Sequence, residues 1–451
     1  MATVPPAPSP PAPRDARYHS HPGRPKSKDE DARTPGELDR DRILYTSAFR
    51  RLAGVTQVVG AVEGHVFHNR LTHTIEVAQI ARRLAERFIR NEPADRLSLL
   101  GGLDPDVTEA AALAHDLGHP PFGHIAEETL AELAIDKCDP DGFEGNAQSF
   151  RILTRLSAHR DQAGYEGLNL SRATLNAVLK YPVLKGGLAK KPDKYGAYSS
   201  EKHLLEWVRA GEVDDRPCLE AAIMDHADNI AYSVHDLDDF YRAGLIPLQE
   251  VWGRITDHIG TFRASRQAGE DKGAVDRHEK AIRSMSKYMP SHRRYEGTYE
   301  QRGELRACTS TLINLFSSTV TLGSEAGDGP RLEVPELVTI QMRFLQHLVW
   351  RYVIENPRLA TQQYGQKRVI RTLYSTYHDA IVGRDRNLVP PAFLKQLSEL
   401  GGKGSTTSGI KGREARLAAD IVASFTDNQA VTLYRRLTGM NPGSVSDTLD
   451  G

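Results

Sequence analysis

The sequence of 451 residues predicts an all-α fold. Apolar residues recur at intervals of three and four over several long segments, which is the period of an amphipathic helix. Few segments alternate between apolar and polar residues as half-buried β-strands do. We therefore expect a helical core followed by an additional C-terminal helical region, with no internal repeat.

The first long helical pattern lies in RLTHTIEVAQIARRLAERFIR. Its apolar positions are Leu71, Ile75, Ala78, Ala81, Ala85 and Phe88. Asn69 stands just before this pattern and is a suitable N-cap, because its side-chain oxygen can accept a backbone N–H of the first turn. The sequence predicts a helix that begins after Asn69.

A second helix is predicted in DVTEAAALAHDLG. Asp106 and Glu109 stand three residues apart at its start, in a variant of the capping box. The helix is expected to stop at Gly118, just before two prolines. This places His115 and Asp116 in its last turn.

A third helix is predicted in CLEAAIMDHADNIAYSVHDLDDFY. Its apolar side consists of Leu219, Ala222, Ile223, Ala227, Ile230, Ala231 and Val234. Asp228, Tyr232 and Asp236 are spaced at i, i+4 and i+8, so all three side chains share one polar face.

Composition limits the possible partners and the cellular compartment. The chain has 58 basic and 59 acidic residues and a formal net charge of -1, so no overall field attracts nucleic acid or an anionic membrane. Its three cysteines fit neither a disulfide framework nor a cysteine-based zinc site. The sequence has neither a membrane-spanning apolar run nor the apolar region of a signal peptide. We expect a cytoplasmic protein without a membrane partner.

The ends of the chain differ in composition from the middle. Residues 1–35 are rich in proline and poor in large apolar residues, which predicts a disordered tail. We expect a helical core at 36–250, a helical C-terminal region at 251–438 and a flexible tail at 439–451. The candidate linkers are residues 142–145, LKGGLAKKPDKYGAYSSEK, GSEAGDGPRLEVPE and GGKGSTTSGIKGRE. Whether the C-terminal region is a second lobe or an extension of the core is left open by the sequence.

The segment HDLGHPPFGH, from His115 to His124, contains three histidines and an aspartate. Imidazole and carboxylate groups are ligands for divalent metals, and two histidines with two aspartates suit Mg, Mn, Fe or Zn. The three helices supply such a set in His73, His115, Asp116 and Asp228. A single helical histidine is more often a hydrogen-bonded structural residue, but a set drawn from three helices favours a metal site.

Four segments carry a resemblance to a known family. They are FRRLAGVTQV, HNRLTHTIEVAQIARRLA, HDLGHPPFGHIAEE and FEGNAQSFRIL. In their residues and in their order along the chain, they resemble the motifs of the dGTP triphosphohydrolase (dGTPase-like) family of the HD-domain phosphohydrolases. The resemblance covers residues from about 39 to 245, and implies that the helical core is an HD domain.

The resemblance implies a reaction and its catalytic residues. The expected reaction converts a deoxynucleoside triphosphate and water to deoxynucleoside and triphosphate, with attack at the α-phosphorus. The four metal ligands named above would hold Mg²⁺ or Mn²⁺, with Fe, Co or Zn as alternatives. His124 would act as general acid or base, oriented by Glu127, and His119 would reach the phosphates. The alternative for Glu127 is a residue that only complements the helix dipole.

The resemblance also implies substrate contacts. Arg70 would bind phosphate with its planar guanidinium. Gln57 and Asp236 would meet the sugar 3′-hydroxyl, and Tyr232 would pack under the deoxyribose and exclude a 2′-hydroxyl. Asn146 would line the same pocket. For Gln57 and Asn146, the alternative is an ordinary polar residue that caps or bridges helices.

Other partners and functions stay open at this stage. Relatives imply a homo-oligomer built from dimers, up to a hexamer, and a possible nucleotide activator. The basic stretch from Lys185 to Lys194 is typical of a solvated loop, although it could reach a triphosphate or a nucleic acid. The alternatives to a dNTP triphosphohydrolase are another HD-type phosphohydrolase and an inactive nucleotide-binding regulator. The preferred dNTP and the native metal are not predicted.

Overall fold

The computed structural model of the protein describes residues 12–19, 32–57, 68–157, 166–212, 214–265, 275–290, 294–324, 331–400 and 407–441. Helices dominate these residues, which confirms the predicted all-α class. One small antiparallel ladder pairs β1 (Thr321–Leu322) with β2 (Leu332–Glu333). Among the described residues, no helix combines the length and the apolar character that crossing a bilayer would require.

Within the described residues, ten α-helices lie in the part of the chain that was predicted as the core. They are α1 (Pro35–Leu44), α2 (Ser47–Arg51), α3 (Arg70–Asn91), α4 (Ala94–Leu99), α5 (Pro105–Ala114), α6 (His124–Asp136), α7 (Gly145–Arg151), α8 (Arg172–Val178), α9 (Lys202–Arg209) and α10 (Leu219–Arg242).

Nine further helices follow. They are α11 (Leu248–Gly253), α12 (Ile255–Ala264), α13 (Val275–Met285), α14 (Tyr299–Ser318), α15 (Glu336–Val349), α16 (Pro357–Val382), α17 (Leu394–Glu399), α18 (Thr407–Ala423) and α19 (Asp427–Leu437).

The predicted start of the first long helix is confirmed. The Asn69 side chain accepts the Thr72 N–H at 3.0 Å, so Asn69 is the N-cap of α3. The third predicted helix is confirmed as α10, which begins at Leu219 and ends at Arg242.

The predicted start of the second helix is wrong by two residues. Asp104 is the N-cap of α5, because its side chain accepts the Asp106 and Val107 N–H groups and Pro105 occupies the first helical position. Asp106 and Glu109 do not form the expected capping box. Their carboxylates instead lie 2.6 and 2.7 Å from Arg82 Nη1.

The predicted end of this helix is also wrong. The α5 helix ends at Ala114, so His115 and Asp116 follow the helix rather than occupy its last turn. The Ser149 hydroxyl donates to the His115 carbonyl at 2.9 Å and accepts the Gly118 N–H at 2.9 Å. A side chain from α7 therefore satisfies the carbonyl that another helical turn would have used.

The first two candidate linkers fit the structure for most of their length. Residues 142–144 lie between α6 and α7, although Gly145 already belongs to α7, and the segment from Leu184 to Gly196 contains no helix. The third candidate, GSEAGDGPRLEVPE, lies partly outside the described residues and contains β2. The segment GGKGSTTSGIKGRE was predicted as a linker, yet α18 already begins at Thr407 within it. Buried apolar residues later in α18, such as Leu417 and Ile421, stabilise the helix despite its glycines.

The apolar core has two main clusters. The first joins α1, α3, α5, α8 and α10 with α11 to α15, so the first part of the C-terminal region extends the helical core. The second cluster joins α16 to α19 with Phe122, Ala126 and Leu130. The α6 helix therefore packs in the C-terminal cluster, although it follows α5 directly in the chain.

Part of the predicted N-terminal tail packs against the core. Arg17 Nη1 lies 2.7 Å from Asp39 Oδ1, and Arg14 pairs with Glu220. Both carboxylates are buried and require a partner, which explains why residues 12–19 differ from the predicted disorder. The boundaries predicted at residues 35, 250 and 438 stay predictions.

Gly118 marks the closest approach between the turn after α5 and helix α7. A Cβ at residue 118 would lie 2.1 Å from the Gly145 carbonyl oxygen and 2.3 Å from the Ser149 nitrogen. We expect Gly118→Ala to destabilise the fold by about 1–3 kcal/mol or more through overpacking. The measurement is the thermal unfolding midpoint by circular dichroism.

Gly260→Ala is the matched control, because a Cβ at residue 260 in α12 meets no atom within 4 Å. That variant should gain roughly 0.5–1 kcal/mol from the restricted unfolded chain. Equal midpoints for the Gly118 variant and the wild type would contradict the close packing described here.

Candidate functional site

Helices α3 and α10 and the turn after α5 bring their metal-ligand candidates together. The donor atoms of His73, His115 and Asp228 all lie within 4.8 Å of one another. His73 Nε2 is 3.1 Å from Asp228 Oδ1, and His115 Nε2 is 3.7 Å from the same oxygen. Both imidazoles are buried, while Asp228 is partly exposed. The geometry leaves these three side chains open to one shared ligand.

The orientation of His115 fits a metal ligand. Its Nδ1 lies 2.6 Å from the Ala112 carbonyl oxygen, so an Nδ1–H donates there and Nε2 faces the cluster. His115 Nε2 is buried and has no hydrogen-bond partner among the described residues. A metal-bound histidine commonly uses its second ring nitrogen in this way. The two imidazoles and the carboxylate suit a divalent metal.

Asp116 lies beside this cluster, not within it. Its Oδ1 is 3.4 Å from His115 Nε2 and 3.1 Å from His119 Nδ1, while its Oδ2 accepts a hydrogen bond from Arg70 Nη1 at 2.7 Å. Burial alone would raise the pKa of Asp116, but the charges of His115, Arg70 and His119 hold it well below its usual range. The carboxylate is therefore ionised, and its role as a fourth ligand stays a prediction.

A second set of polar side chains lies across the turn. The ligand atoms of His119, His124 and Glu127 also lie within 4.8 Å of one another. His124 Nδ1 is 2.9 Å from Glu127 Oε2, and Glu127 Oε1 accepts the Gly145 N–H at 2.9 Å. Glu127 is buried, whereas His124 is exposed. The structure thus brings the predicted acid–base pair together at the start of α6.

In this second set of side chains, Glu127 carries a negative charge. Burial would raise the pKa of Glu127, but the hydrogen bond with His124 and the nearby His119 and Lys194 bring it well below its usual range. Burial lowers the pKa of His119, and the Arg70 guanidinium lowers it further. Glu127 therefore stays ionised.

The turn between the two sets has an uncommon backbone. Phe122 has φ 66° and Gly123 has φ 62°. For a residue with a side chain such a conformation costs on the order of 1–2 kcal/mol, so its surroundings must hold Phe122 there. A Cβ at residue 123 would lie 3.2 Å from Arg70 Nη2, which explains the need for glycine at that position. This turn aims His124 back toward His119, with ring centroids 5.5 Å apart.

Lys180 is a site residue that the sequence did not indicate. Its Nζ lies 2.5 Å from Asp225 Oδ1 and 3.3 Å from Asp228 Oδ2. Burial would lower the pKa of Lys180, but Asp225 and Asp228 raise it well above its usual value. Its charge in turn keeps the pKa of Asp228 low against the effect of burial. A single lysine after a short helix gives no sequence signal of this contact.

Lys194 comes from the basic stretch and reaches the second set. Its Nζ lies 3.0 Å from Glu144 Oε1 and 3.7 Å from Glu127 Oε1. Burial would lower the pKa of Lys194, but the two carboxylates raise it. Lys185 instead donates to the Pro140 carbonyl at 3.0 Å. One end of the basic stretch therefore borders the site.

Arg70 is buried, and two of its nitrogens donate hydrogen bonds to protein groups. Its Nε donates to the Thr56 carbonyl at 3.0 Å, and its Nη1 donates to Asp116 as described above.

Gln57 Oε1 and Asp236 Oδ2 are buried oxygens without a hydrogen-bond partner among the described residues. Buried acceptors without partners are uncommon in proteins, and each is a candidate for a contact with water, an ion or a ligand. Burial and the neighbouring Asp239 raise the pKa of Asp236 well above its usual value.

The remaining predicted contacts lie nearby. Tyr232 is half-buried on α10, one turn after Asp228. Asn146 Nδ2 donates to Glu144 Oε1 at 2.9 Å, so Asn146 bridges to the N-cap of α7 as its alternative interpretation holds. The Gly145 position beside it faces His119 and Glu127. The substrate roles of Tyr232 and Asn146 stay predictions.

An additional charged group, which the sequence analysis missed, lies along α3 and α10. His68 Nε2 is 3.1 Å from Glu76 Oε1, and His68 Nδ1 is 2.8 Å from Asp239 Oδ2. Burial would lower the pKa of His68, but these carboxylates raise it to about 10. His235 pairs with the other oxygen of Glu76 and stacks on His68. The group places a positive charge next to the unpartnered Asp236.

Comparison with known proteins gives two domain matches. Residues 70–233 match the HD domain family, and residues 332–436 match the phosphohydrolase-associated domain. The first range contains the His73, His115 and Asp228 cluster. The second range contains most of the helices of the second apolar cluster.

Curated relatives match nearly the whole chain. A deoxyguanosinetriphosphate triphosphohydrolase-like protein of Corynebacterium efficiens is 35% identical over 91% of this chain and 93% of its own length. Proteins of the same description from Streptomyces coelicolor and Corynebacterium diphtheriae are 35% and 36% identical, over 97% and 80% of this chain and 99% and 84% of their own lengths.

The two groups of ligand candidates predict different metal-loading results. We expect His115→Ala to lose bound metal, because it removes a donor of the buried cluster. His124→Ala should keep the wild-type metal content, since it changes only the second group. The measurement is the metal content by mass spectrometry after loading with Mn²⁺ and desalting. Loss of metal in the His124 variant, with retention in the His115 variant, would instead place the metal at the second group.

Proposed function

The chain belongs to the family of the deoxyguanosinetriphosphate triphosphohydrolase-like proteins, and from this premise we propose that it hydrolyses deoxynucleoside triphosphates to deoxynucleoside and triphosphate. One observation carries the proposal. A buried donor set suited to a divalent metal lies across a tight turn from an acid–base pair, and lysines border both. This arrangement meets the requirements of water attack on a phosphorus atom.

The metal would be held by His73, His115 and Asp228, with Asp116 as the fourth ligand. The unpartnered Nε2 of His115 and the His and Asp donor types support this assignment. Mg²⁺ or Mn²⁺ is the proposed ion, with Fe, Co or Zn as alternatives. When bound, such an ion supplies a Lewis acid for a phosphoryl oxygen and for water.

Positive side chains would hold the triphosphate. Lys180 borders the metal cluster and Lys194 borders the acid–base pair, and their raised pKa values keep both charged. Arg70 lies between the two groups, where its guanidinium and His119 would meet the α-phosphate. Each lysine is paired with a carboxylate, and phosphate groups would compete with these carboxylates for the lysines.

His124 would transfer the proton that the reaction requires. Water adds its oxygen to the α-phosphorus, the bond from phosphorus to the 5′-oxygen breaks, and the 5′-oxygen leaves as a hydroxyl. An alkoxide is a poor leaving group, so a general acid lowers the barrier. Glu127 accepts the Nδ1–H of His124, which directs the Nε2–H toward the site. The low pKa of Glu127 keeps it ionised for this role.

The sugar would be recognised along α10. Asp236 Oδ2 and Gln57 Oε1 are unpartnered acceptors and would meet the 3′-hydroxyl. Tyr232, between Asp228 and Asp236 on the same face, would pack under the deoxyribose and leave no room for a 2′-hydroxyl. Asn146 would border the pocket next to His119. A dimer-based homo-oligomer, a separate activating nucleotide and a cytoplasmic location belong to the same proposal.

Product analysis tests the reaction directly. The purified protein is incubated with each of the four dNTPs and with GTP, in Mg²⁺ and separately in Mn²⁺, and products are separated by anion exchange. We expect tripolyphosphate and free deoxynucleoside from at least one dNTP and none from GTP. Pyrophosphate or orthophosphate would indicate another HD-type phosphohydrolase. No product, even with mixed dNTPs, would favour a regulatory nucleotide-binding protein.

A variant of the acid–base pair tests the assigned proton transfer. His124→Ala should lower kcat by about a hundredfold or more, because a positioned acid–base group contributes on this scale. His203→Ala is the matched control, since His203 is an exposed histidine on α9 outside the site. Steady-state rates of triphosphate release give the comparison. Wild-type kcat in the His124 variant would remove the assignment.

A further inference from the structure

Asp427 joins the C-terminal region to the candidate site. It is the first residue of α19, and its side chain is buried. One carboxylate oxygen accepts the Phe122 N–H at 2.9 Å. The other accepts the Thr56 N–H at 3.1 Å and also the Thr56 hydroxyl. A single carboxylate therefore holds two segments that are distant from it in sequence.

Both segments border the candidate site. Phe122 lies two residues before His124, in the turn where the backbone takes positive φ values. The Thr56 carbonyl accepts the Nε–H of Arg70, whose Nη1 donates to Asp116. Asp427 thus contacts the turn that aims His124 and the segment that orients Arg70.

Arg51 makes a second contact between the same parts of the chain. Its Nη1 donates to the Phe425 carbonyl at 3.1 Å, and its Nη2 donates to the Leu117 and His119 carbonyls at 2.7 and 2.8 Å. A Cβ at Gly54 would lie 2.8 Å from Thr426 Cγ2, so the chain on either side is closely packed. Residues 425–427, where α19 begins, are therefore held against both segments.

We propose that Asp427 is a positioning residue for hydrolysis, acting through the turn that carries His124 and through the Thr56 contact to Arg70. This inference rests on the proposed function. The carboxylate supplies the acceptor that the Phe122 N–H needs in its left-handed conformation. Without that acceptor the turn can relax, and a displacement of about 1 Å at a catalytic group can cost a hundredfold in rate.

The number of hydrogen-bond acceptors on the side chain of residue 427 determines which variant to use. A carboxylate offers an acceptor on each oxygen, whereas the Asn side chain offers one acceptor and one donor group. Asp427→Asn keeps the size of the side chain but cannot accept from both Phe122 and Thr56. Glu414→Gln is the matched control, because Glu414 is a buried acid of α18 that pairs with Arg384 and has no described contact with the turn.

Steady-state kinetics give the first test. We expect Asp427→Asn to lower kcat by roughly 10- to 100-fold, with KM for the dNTP changed by less than about threefold and bound Mn²⁺ unchanged. Glu414→Gln should keep the wild-type kcat. Wild-type kcat in Asp427→Asn would overturn the proposal, as would an equal loss in both variants.

A double-mutant cycle separates positioning from general stability. If Asp427 acts through His124, then Asp427→Asn combined with His124→Ala should be slower than His124→Ala alone by less than about threefold. Fully additive losses would overturn this route. If Asp427→Asn does not fold, Thr56→Val removes only the hydroxyl contact with the carboxylate and tests the Arg70 route. It should lower kcat by a smaller factor, and wild-type kcat in that variant would overturn this route.

The outcome is distinguishable from a failure of the proposed function. A wild-type protein that releases no triphosphate contradicts the proposed function. Amide hydrogen exchange of residues 117–124 still tests the positioning role in that case. We expect faster exchange there in Asp427→Asn than in wild type or Glu414→Gln. Unchanged exchange would overturn the positioning role, whatever the activity.

Discussion

The buried ion pair between Arg70 and Asp116 is the interaction on which the site depends. Two charges removed from water are tolerated only when they remain paired, and loss of one partner typically costs about 3–5 kcal/mol. Arg70 opens α3 and Asp116 follows the end of α5, so their pairing sets the distance between these helices. His73 and His115 lie one turn or less from the two charges. The same pairing therefore determines that both imidazoles face Asp228.

Charges around this pair balance one another. The carboxylates of Asp116, Glu127 and Asp228 all have lowered pKa values, each because cationic neighbours outweigh burial. Lys180 and Lys194 also contact Asp225 and Glu144, which lie outside the predicted ligand set. These acidic partners hold the two lysines in position at the edge of the site. A polyanion would therefore meet cations whose positions are already fixed.

The sequence predicted what depends on local pattern. Helical spacing placed His73, Asp228, Tyr232 and Asp236 on their faces, and the prolines and glycine before His124 indicated the helix that carries Glu127. The start of α5 was misassigned because Asp106 and Glu109 imitate a capping box, although Pro105 favours Asp104 as the N-cap. Lys180 and Asp427 could not be found in this way. Their contacts join residues that are 48 and 305 positions apart, and only tertiary packing brings them together. The helix that begins at Thr407 was also missed. Its glycines favour a linker, but burial of later residues in the helix outweighs this local propensity.

The chain matches two separate domains, but the candidate site depends on the packing of both apolar clusters. His73 and Asp228 stand on helices of the first apolar cluster and His115 follows another of them, but His124 and Glu127 stand on α6, which packs through Ala126 and Leu130 in the second. Burial of each large apolar side chain there contributes roughly 1.5–3 kcal/mol, so the position of α6 is set mainly by α16 and α18. The turn at Phe122 must therefore connect two separately packed units with a fixed geometry. The positive φ values in this turn cost conformational free energy. The contacts that Asp427 and Arg51 make from the C-terminal side offset this cost. The phosphohydrolase-associated region is thus part of the framework that brings the proposed acid–base pair to the candidate metal ligands.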